Sequence, residues 1–387
     1  MIRTFTLSLA LAASASLLAQ INGNGYYRLQ NYGTTRYAYI TDDKGSIDLG
    51  TTSADLYAIQ LWKKFDLAAS DPASVIYLKN AEGRQYDIQG QGAELYKMLG
   101  HYLSVYENKD NTYYAYATNS GVTKYLYDGD NGDIAIRNDN GWLSTNGTGI
   151  DTKYRKWYVT PITTDDSNYF GIKPDLSVGT SYYTTFYASF PFSFASSGME
   201  AWYVSAIDTK LGVAIIEPVQ ASSVIAPATP LIVRCSSSAP INNKLNIGGT
   251  ASADVSSKNL LKGVYFNNLT MKTHYNYVSY DAQQMRVLGL TSDGSLGFVT
   301  SSTLATLPAN KAYLPVTAAT PSELKLVTQE EYAKLIVSSA SAIKANSQQG
   351  PFDVYNILGV KVRSQVTSLQ GIPAGIYLVN GRKICIR

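Results

Sequence analysis

Three stretches near the start of the chain read alike: Tyr26-Tyr27-Arg28-Leu29-Gln30-Asn31, Val75-Ile76-Tyr77-Leu78-Lys79-Asn80 and Lys124-Tyr125-Leu126-Tyr127-Asp128. Aligned on Asn31, Asn80 and Asp128, they recur at an almost even interval. Each leads through a turn to a second strand-like run, at 37–40, 86–88 and 134–136. Each unit then closes on an aromatic residue: Trp62, Tyr114 or Trp157. Self-similarity at such a period marks one supersecondary unit used repeatedly to bury a shared core. The runs are rich in Tyr, Val, Ile and Thr, which suit a pleated, half-buried surface, while Gly, Asn and Asp punctuate them. With 31 Tyr and 30 Gly among 387 residues and only 16% charged, the chain reads as all-β, in two or three domains.

Three four-stranded units of this length make a β-trefoil, expected over residues 20–164. The span resembles ricin-type trefoil lectin domains. The family's Gln-x-Trp closure stands once, at Gln60-Leu61-Trp62, against Thr112-Tyr113-Tyr114 and Arg155-Lys156-Trp157 in the other units. The closing aromatics are expected to fill the core. The resemblance implies one sugar site, in the second unit. Asp87 supplies the carboxylate, Tyr102, 15 positions later, the ring platform, and Asn111, three before Tyr114, the amide. A carboxylate and an amide can hold adjacent sugar hydroxyls while the ring packs on the apolar C–H face. The other units carry Ala38 or Tyr39 and Ala135 in place of the Asp, so at most one such site survives. The competing reading makes these hairpin-turn and surface residues.

The acidic, Gly-rich run 128–133 offers Asp128, Asp130 and Asp133 as oxygen ligands for calcium. It lacks the EF-hand order and the distant Glu, and it falls where the third unit needs a hairpin turn. No other cofactor is expected.

Residues 165–328 keep strand-length runs without the repeat, at 182–188, 201–207, 213–219, 231–235, 285–290, 297–300 and 312–316. Asp293-Gly294 is a hairpin signal. Pro227-Ala228 before Leu231 resembles Pro308-Ala309 before Tyr313, a hint of duplication. A β-sandwich is the simplest burial for these runs. Residues 329–350 read as a helical stretch at 330–337 and then a Ser/Ala/Gln-rich linker.

The tail, 351–387, reads as short strands with turns at Leu358-Gly359 and Asn380-Gly381. Its Val354-Tyr355-Asn356 and Gly375-Ile376-Tyr377-Leu378-Val379-Asn380-Gly381 halves and basic end resemble the C-terminal sorting domains of cargo of the type IX secretion system of Bacteroidota. The resemblance implies that the type IX machinery is a partner of these residues. The other end agrees. Residues 1–19 read as a signal peptide, with Arg3 before an apolar stretch at 7–18. No transmembrane anchor is expected, since no later run reaches about 20 apolar residues.

Charge and chemistry narrow the role. The net +3 divides into +4 in the tail, from Lys361, Arg363, Arg382, Lys383 and Arg387 against Asp353, and −1 elsewhere, so no basic footprint for nucleic acid exists. Cys235 and Cys385 make no disulfide framework and read as small buried residues. The two histidines, His101 and His274, lie in different domains beside no nucleophile motif. Glu200 beside Trp202 reads as a solvated Glu beside a buried Trp. The expectation is a non-catalytic, exported cell-surface or secreted protein that recognises a glycan or glycoprotein through its first domain. The alternatives are a structural or protein-interaction surface protein and a polysaccharide hydrolase.

Overall fold

The computed structural model describes residues 21, 23–48, 53–62, 64–83, 85–91, 93–94, 103–107, 110–119, 122–126, 128, 142–143, 152–253, 255–266, 278–346 and 351–386. Strand takes 46% and helix 8% of the chain, so the fold is all-β. Among the described residues, no helix is long and apolar enough to cross a membrane.

The first region holds β1 (Gly25–Asn31), β2 (Tyr37–Asp48), β3 (Ser53–Trp62), α1 (Phe65–Ala68), β4 (Ile76–Glu82), β5 (Gln85–Gly90), β6 (Ala93–Glu94), β7 (Leu103–Glu107), β8 (Tyr113–Asn119), β9 (Val122–Leu126), β10 (Trp142–Leu143) and β11 (Lys156–Pro161). Antiparallel pairings run β1–β4–β5–β7–β8–β11 and back to β1, a closed ring of six strands. Closure leaves no open edge in the ring, and an even number lets every neighbour be antiparallel. Leu29, Ile76, Leu78, Ile88, Trp157 and Val159 are buried, and Trp157 is fully enclosed, the core role expected of it.

A trefoil ring takes the same two strands from each unit. Here the second unit supplies four strands, while the first supplies β1 and the third supplies β11. The starts of the first two units pair with each other, Tyr26 opposite Tyr77, which threefold-related strands of a trefoil barrel cannot do. The third start lies on β9, outside the ring, paired with β8 and β10. The described strands therefore form a six-stranded barrel whose units are not equivalent.

The middle region holds β12 (Leu176–Val178), β13 (Ser181–Phe186), β14 (Phe192–Phe194), β15 (Glu200–Asp208), β16 (Val213–Pro218), β17 (Leu231–Cys235), β18 (Leu245–Ile247), β19 (Lys262–Val264), β20 (Met285–Leu290), β21 (Leu296–Val299), β22 (Lys311–Pro315) and β23 (Glu323–Thr328). Ten of them form one sheet, and β14 pairs with β18 apart from it. Within the sheet, β13-β17-β15-β16 and β19-β22-β20-β21 share one plan. In each, the second and third strands form a hairpin, and the fourth inserts between the first and the second. The repeated Pro-Ala precedes the fourth strand of each half, so the echo in sequence is a duplication of topology.

β23 joins the halves, parallel to β16 and antiparallel to β21. The sheet bends so that β13 meets β22, where Ala312 N donates to Thr185 Oγ1 at 3.0 Å. Between the halves lie Val204, Ile232, Phe298, Leu314 and Leu324. The opposite face of the first half carries Phe186, Ala201, Tyr203, Leu231 and Val233, packed with Phe170, Phe190 and Phe192. Both faces of β17 are thus covered, which explains its apolar start, Leu231-Ile232-Val233. One continuous bent sheet, rather than two separate ones, supplies the strands on both sides of this core.

α2 (Gln329–Asn346) follows β23 directly and outruns the helical stretch expected at 330–337. Thr328 Oγ1 accepts from Glu331 N, and Glu331 Oε2 accepts from Thr328 N at 2.7 Å, a reciprocal cap. The supposed linker is helical through 346 because its Ala, Ile and Lys residues are acceptable helix formers. The tail forms a separate four-stranded sheet, β24 (Phe352–Asn356), β25 (Lys361–Val366), β26 (Gly375–Val379) and β27 (Arg382–Ile386), in the order β25-β24-β26-β27. Phe352, Val354, Ile372, Tyr377, Val379, Ile384 and Ile386 give it its own core. Asn380 and Gly381 both have positive φ, 51° and 74°, as the expected tight hairpin requires.

Cys235 is buried, and burial pushes its thiol up to about 12. Cys385 departs from expectation: it faces solvent, because alternation along β27 turns Ile384 and Ile386 inward. Glu200 is paired with Arg234 on the neighbouring strand at 2.7 Å, a structural contact.

Candidate functional site

The structure describes the residues singled out in the second unit only in part. Asp87 stands on β5, paired through its backbone with Lys79 of β4. Tyr102 lies outside the described residues. Asn111 is exposed, with φ of 59°, in the turn entering β8. Beside it, Asp110 accepts from the Thr112 hydroxyl and from Lys156 Nζ, which holds its carboxyl below the usual range.

Asp128 is fully buried. Arg36 Nε donates to its Oδ2 at 2.8 Å, Arg36 Nη2 donates to Oδ1, and the Thr34 hydroxyl donates to Oδ2. A carboxylate so committed to a guanidinium is not a free calcium ligand. Asp130, Asp133, His101 and His274 lie outside the described residues. Among the described residues, no three His, Cys, Asp or Glu side chains form a group that could hold a metal.

The outer face of β1 leads elsewhere. Tyr27, Leu29 and Asn31 point into the barrel, so alternation turns Tyr26, Arg28 and Gln30 outward. Arg28 is nonetheless buried, against α1 and the segment after β11. Its guanidinium donates to Asn168 Oδ1 at 2.6 Å and to Ala68 O at 3.0 Å, and lies 5.2 Å from the centre of the Phe65 ring. Burial without a carboxylate partner lowers it to about 10, so it stays charged at neutral pH. Nearby, the barrel is joined to the module. Val75 shares a core with Phe170 and Phe190, and the amides of Gln91 and Asn310 exchange hydrogen bonds of 2.8 and 2.9 Å.

Two residues before Arg28, Tyr26 opens onto a cleft of about 490 Å³ between barrel and module. Tyr77 lies directly opposite on β4, and the two rings stand 4.7 Å apart, inclined at 40°. Phe190 of the module backs Tyr26 edge-on at 6.2 Å. Burial, with Tyr77 adjacent, pushes the Tyr26 phenol up to about 12, so it remains a neutral donor and acceptor. Among the described residues, neither the Tyr26 nor the Tyr77 hydroxyl has a hydrogen-bond partner.

The wall adjoining Tyr26 is the turn after β18, where Gly248 and Gly249 have φ of 104° and 91°. A side chain is strained at such angles, and a Cβ on Gly248 would lie 3.7 Å from the Tyr26 ring. Backbone therefore forms this wall. Asn24 lines the cleft too, and no charged side chain does. A second cavity, of about 210 Å³, lies in the module; it is mostly apolar, and its Lys311 is already paired with Asp175 at 2.6 Å.

The sequence reading did not single out Tyr26, Tyr77, Gly248 or Gly249 as a site. Alternation alone marks Tyr26 and Tyr77 as outward-facing. Their pairing, and the glycine turn beside Tyr26, are set by contacts far apart in sequence. No protein-family model matches the chain, and no curated protein or solved structure is significantly similar to it.

Proposed function

We propose that the chain is an exported cell-surface or released protein that recognises a glycan or glycoprotein without catalysing its turnover, with residues 351–387 as its address for type IX secretion. The observation that carries recognition is the pair of tyrosine rings, held by strand register at the mouth of a cleft between barrel and module. Ring faces supply apolar contact at little conformational cost, and unpaired phenols supply hydrogen bonds, the combination a sugar needs. The cleft volume lies in the usual range for small-ligand sites. A trefoil arrangement of the recognition domain is supported only by the sequence resemblance, since the described strands do not use the three units equivalently. The address is supported by the tail's separate core and by the helix before it, which set it apart from the body as a small unit.

One experiment tests both halves. The intact chain and a chain lacking 351–387 are expressed in a Bacteroidota host with this export route, and surface and medium fractions are applied to a panel of multivalent glycans. Glycan binding outside the cell is expected from the intact chain only. Release of the shortened chain at normal levels overturns the address, and an exported chain that binds no glycan overturns recognition.

A further inference from the structure

We infer that the cleft between Tyr26, Tyr77 and the Gly248–Gly249 turn is a composite saccharide site that takes an uncharged pyranose, with the barrel supplying rings and the module supplying backbone. This rests on the glycan-recognition reading above and moves the site away from Asp87 and Asn111. The charge class follows from the lining. Tyrosine, asparagine, glycine, proline and isoleucine contribute, while among the described residues no Lys, Arg, Asp or Glu does, so an anionic sugar would be desolvated without a counter-charge.

The chemistry fits the polar and apolar faces of one ring. Tyr26 and Tyr77 offer stacking surface, and their hydroxyls are unpartnered among the described residues. Beside Tyr26, within contact of its ring, the positive-φ turn leaves peptide groups uncovered by side chains at Gly248 and Gly249, and Gly248 N is already given to Pro191 O at 2.8 Å. The Gly249 peptide and the Asn24 side chain, whose Oδ1 already accepts from Asn80 N at 2.7 Å, are the other polar groups of the lining. Barrel and module each hold half of this set. Occupancy consequently favours their docked arrangement, because a ligand that binds only the assembled form stabilises that form.

The test uses the full chain and polyacrylamide conjugates of galactose, N-acetylglucosamine, mannose, fucose and sialic acid, with a proline-rich peptide conjugate as the rival ligand. A neutral-sugar conjugate is expected to be retained. Tyr77→Ala should weaken retention about tenfold through the lost stacking face, and Tyr77→Phe should weaken it less. Gly249→Asn should also weaken it. Asn tolerates positive φ best among side-chain-bearing residues, and a Cβ there meets only Val224 methyl groups at 3.6 Å, so the variant alters the cleft-lining turn without a forced clash. Asp87→Ala and Asn111→Ala should bind as the parent does.

Melting curves separate a folding defect from a binding defect. If Tyr77→Ala does not fold, Tyr77→Phe and Gly249→Asn decide. Neutral-sugar binding that survives Tyr77→Phe and Gly249→Asn unchanged but is lost with Asp87→Ala overturns the cleft and leaves glycan recognition standing. Retention of the sialylated or the peptide conjugate in preference overturns the ligand class. No retention of any conjugate overturns the reading on which the inference rests.

Discussion

The barrel and the module treat repetition in opposite ways. In the barrel, three similar strand starts recur almost evenly along the chain, yet they occupy different places: two pair with each other inside the ring and one stands outside it. In the module, the echo is only a repeated Pro-Ala, yet the two halves share one strand order throughout. A strand start records only a local need, an alternating apolar face ending in a turn residue, and unrelated strands can share that need. A shared strand order records how four strands interleave, which many dispersed residues decide together. The fainter signal marked the deeper repetition.

The largest expected effect would break the equivalence in the barrel. Asn31, Asn80 and Asp128 align, but Asp128 alone makes a buried ion pair, with Arg36. Asp128→Ala should destabilise the protein by about 3–5 kcal/mol, because it strands a buried guanidinium. Asn80 is exposed, so Asn80→Ala should cost far less. Chemical denaturation of both variants checks this, and equal losses would restore the aligned positions as equivalents.

Next in size is a pair of substitutions that sharpens the duplication. Leu231 and Leu314 are fully buried on the fourth strands, β17 and β22, of the two halves. Leu231→Ala and Leu314→Ala should each cost about 2–5 kcal/mol, and both should shift one common unfolding transition. Two separate transitions, each sensitive to one variant, would mean that the halves fold independently despite the shared sheet.

The smallest effect concerns the turn of the second hairpin. Asp293 Oδ1 accepts from Ser295 N at 3.0 Å and from the Thr291 hydroxyl at 2.5 Å, and Lys325 lies 3.0 Å from Oδ2. These partners hold its carboxyl far below the ordinary range. Its folded pKa lies below its unfolded value, so the contribution is present above about pH 4 and fades as acidity increases through the depressed value. A melt series from neutral to acid pH should show Asp293→Asn losing less than the parent in that window. An identical decline in both proteins would remove this carboxylate from the account.

What the sequence revealed was local. The runs 231–235 and 285–290 match β17 and β20 to the residue, because apolar runs and turn residues mark their own ends. The Asp293-Gly294 and Asn380-Gly381 turns were legible for the same reason. The parallel pairing of β16 with β23 joins segments far apart in the chain and leaves no local mark. The candidate site divides similarly. Asp87, Tyr102 and Asn111 are what the trefoil-lectin resemblance implies within one unit, whereas Tyr26, Tyr77 and Gly248 meet only after long-range pairings are made. Asp128 looked like a turn or an ion ligand because its partner, Arg36, lies in another unit.

The position of β23 has a mechanical consequence. Its last residue, Thr328, passes straight into α2, the only covalent route from the body to the tail. If the tail is held and the cleft is pulled by a bound ligand, tension enters the sheet along β23. That strand lies between β16 and β21, so a pull along its own axis loads the ladders on both sides together. The module is thereby suited to carry a pull between a tethered end and a gripped surface, with resistance coming from two flanking strands at once.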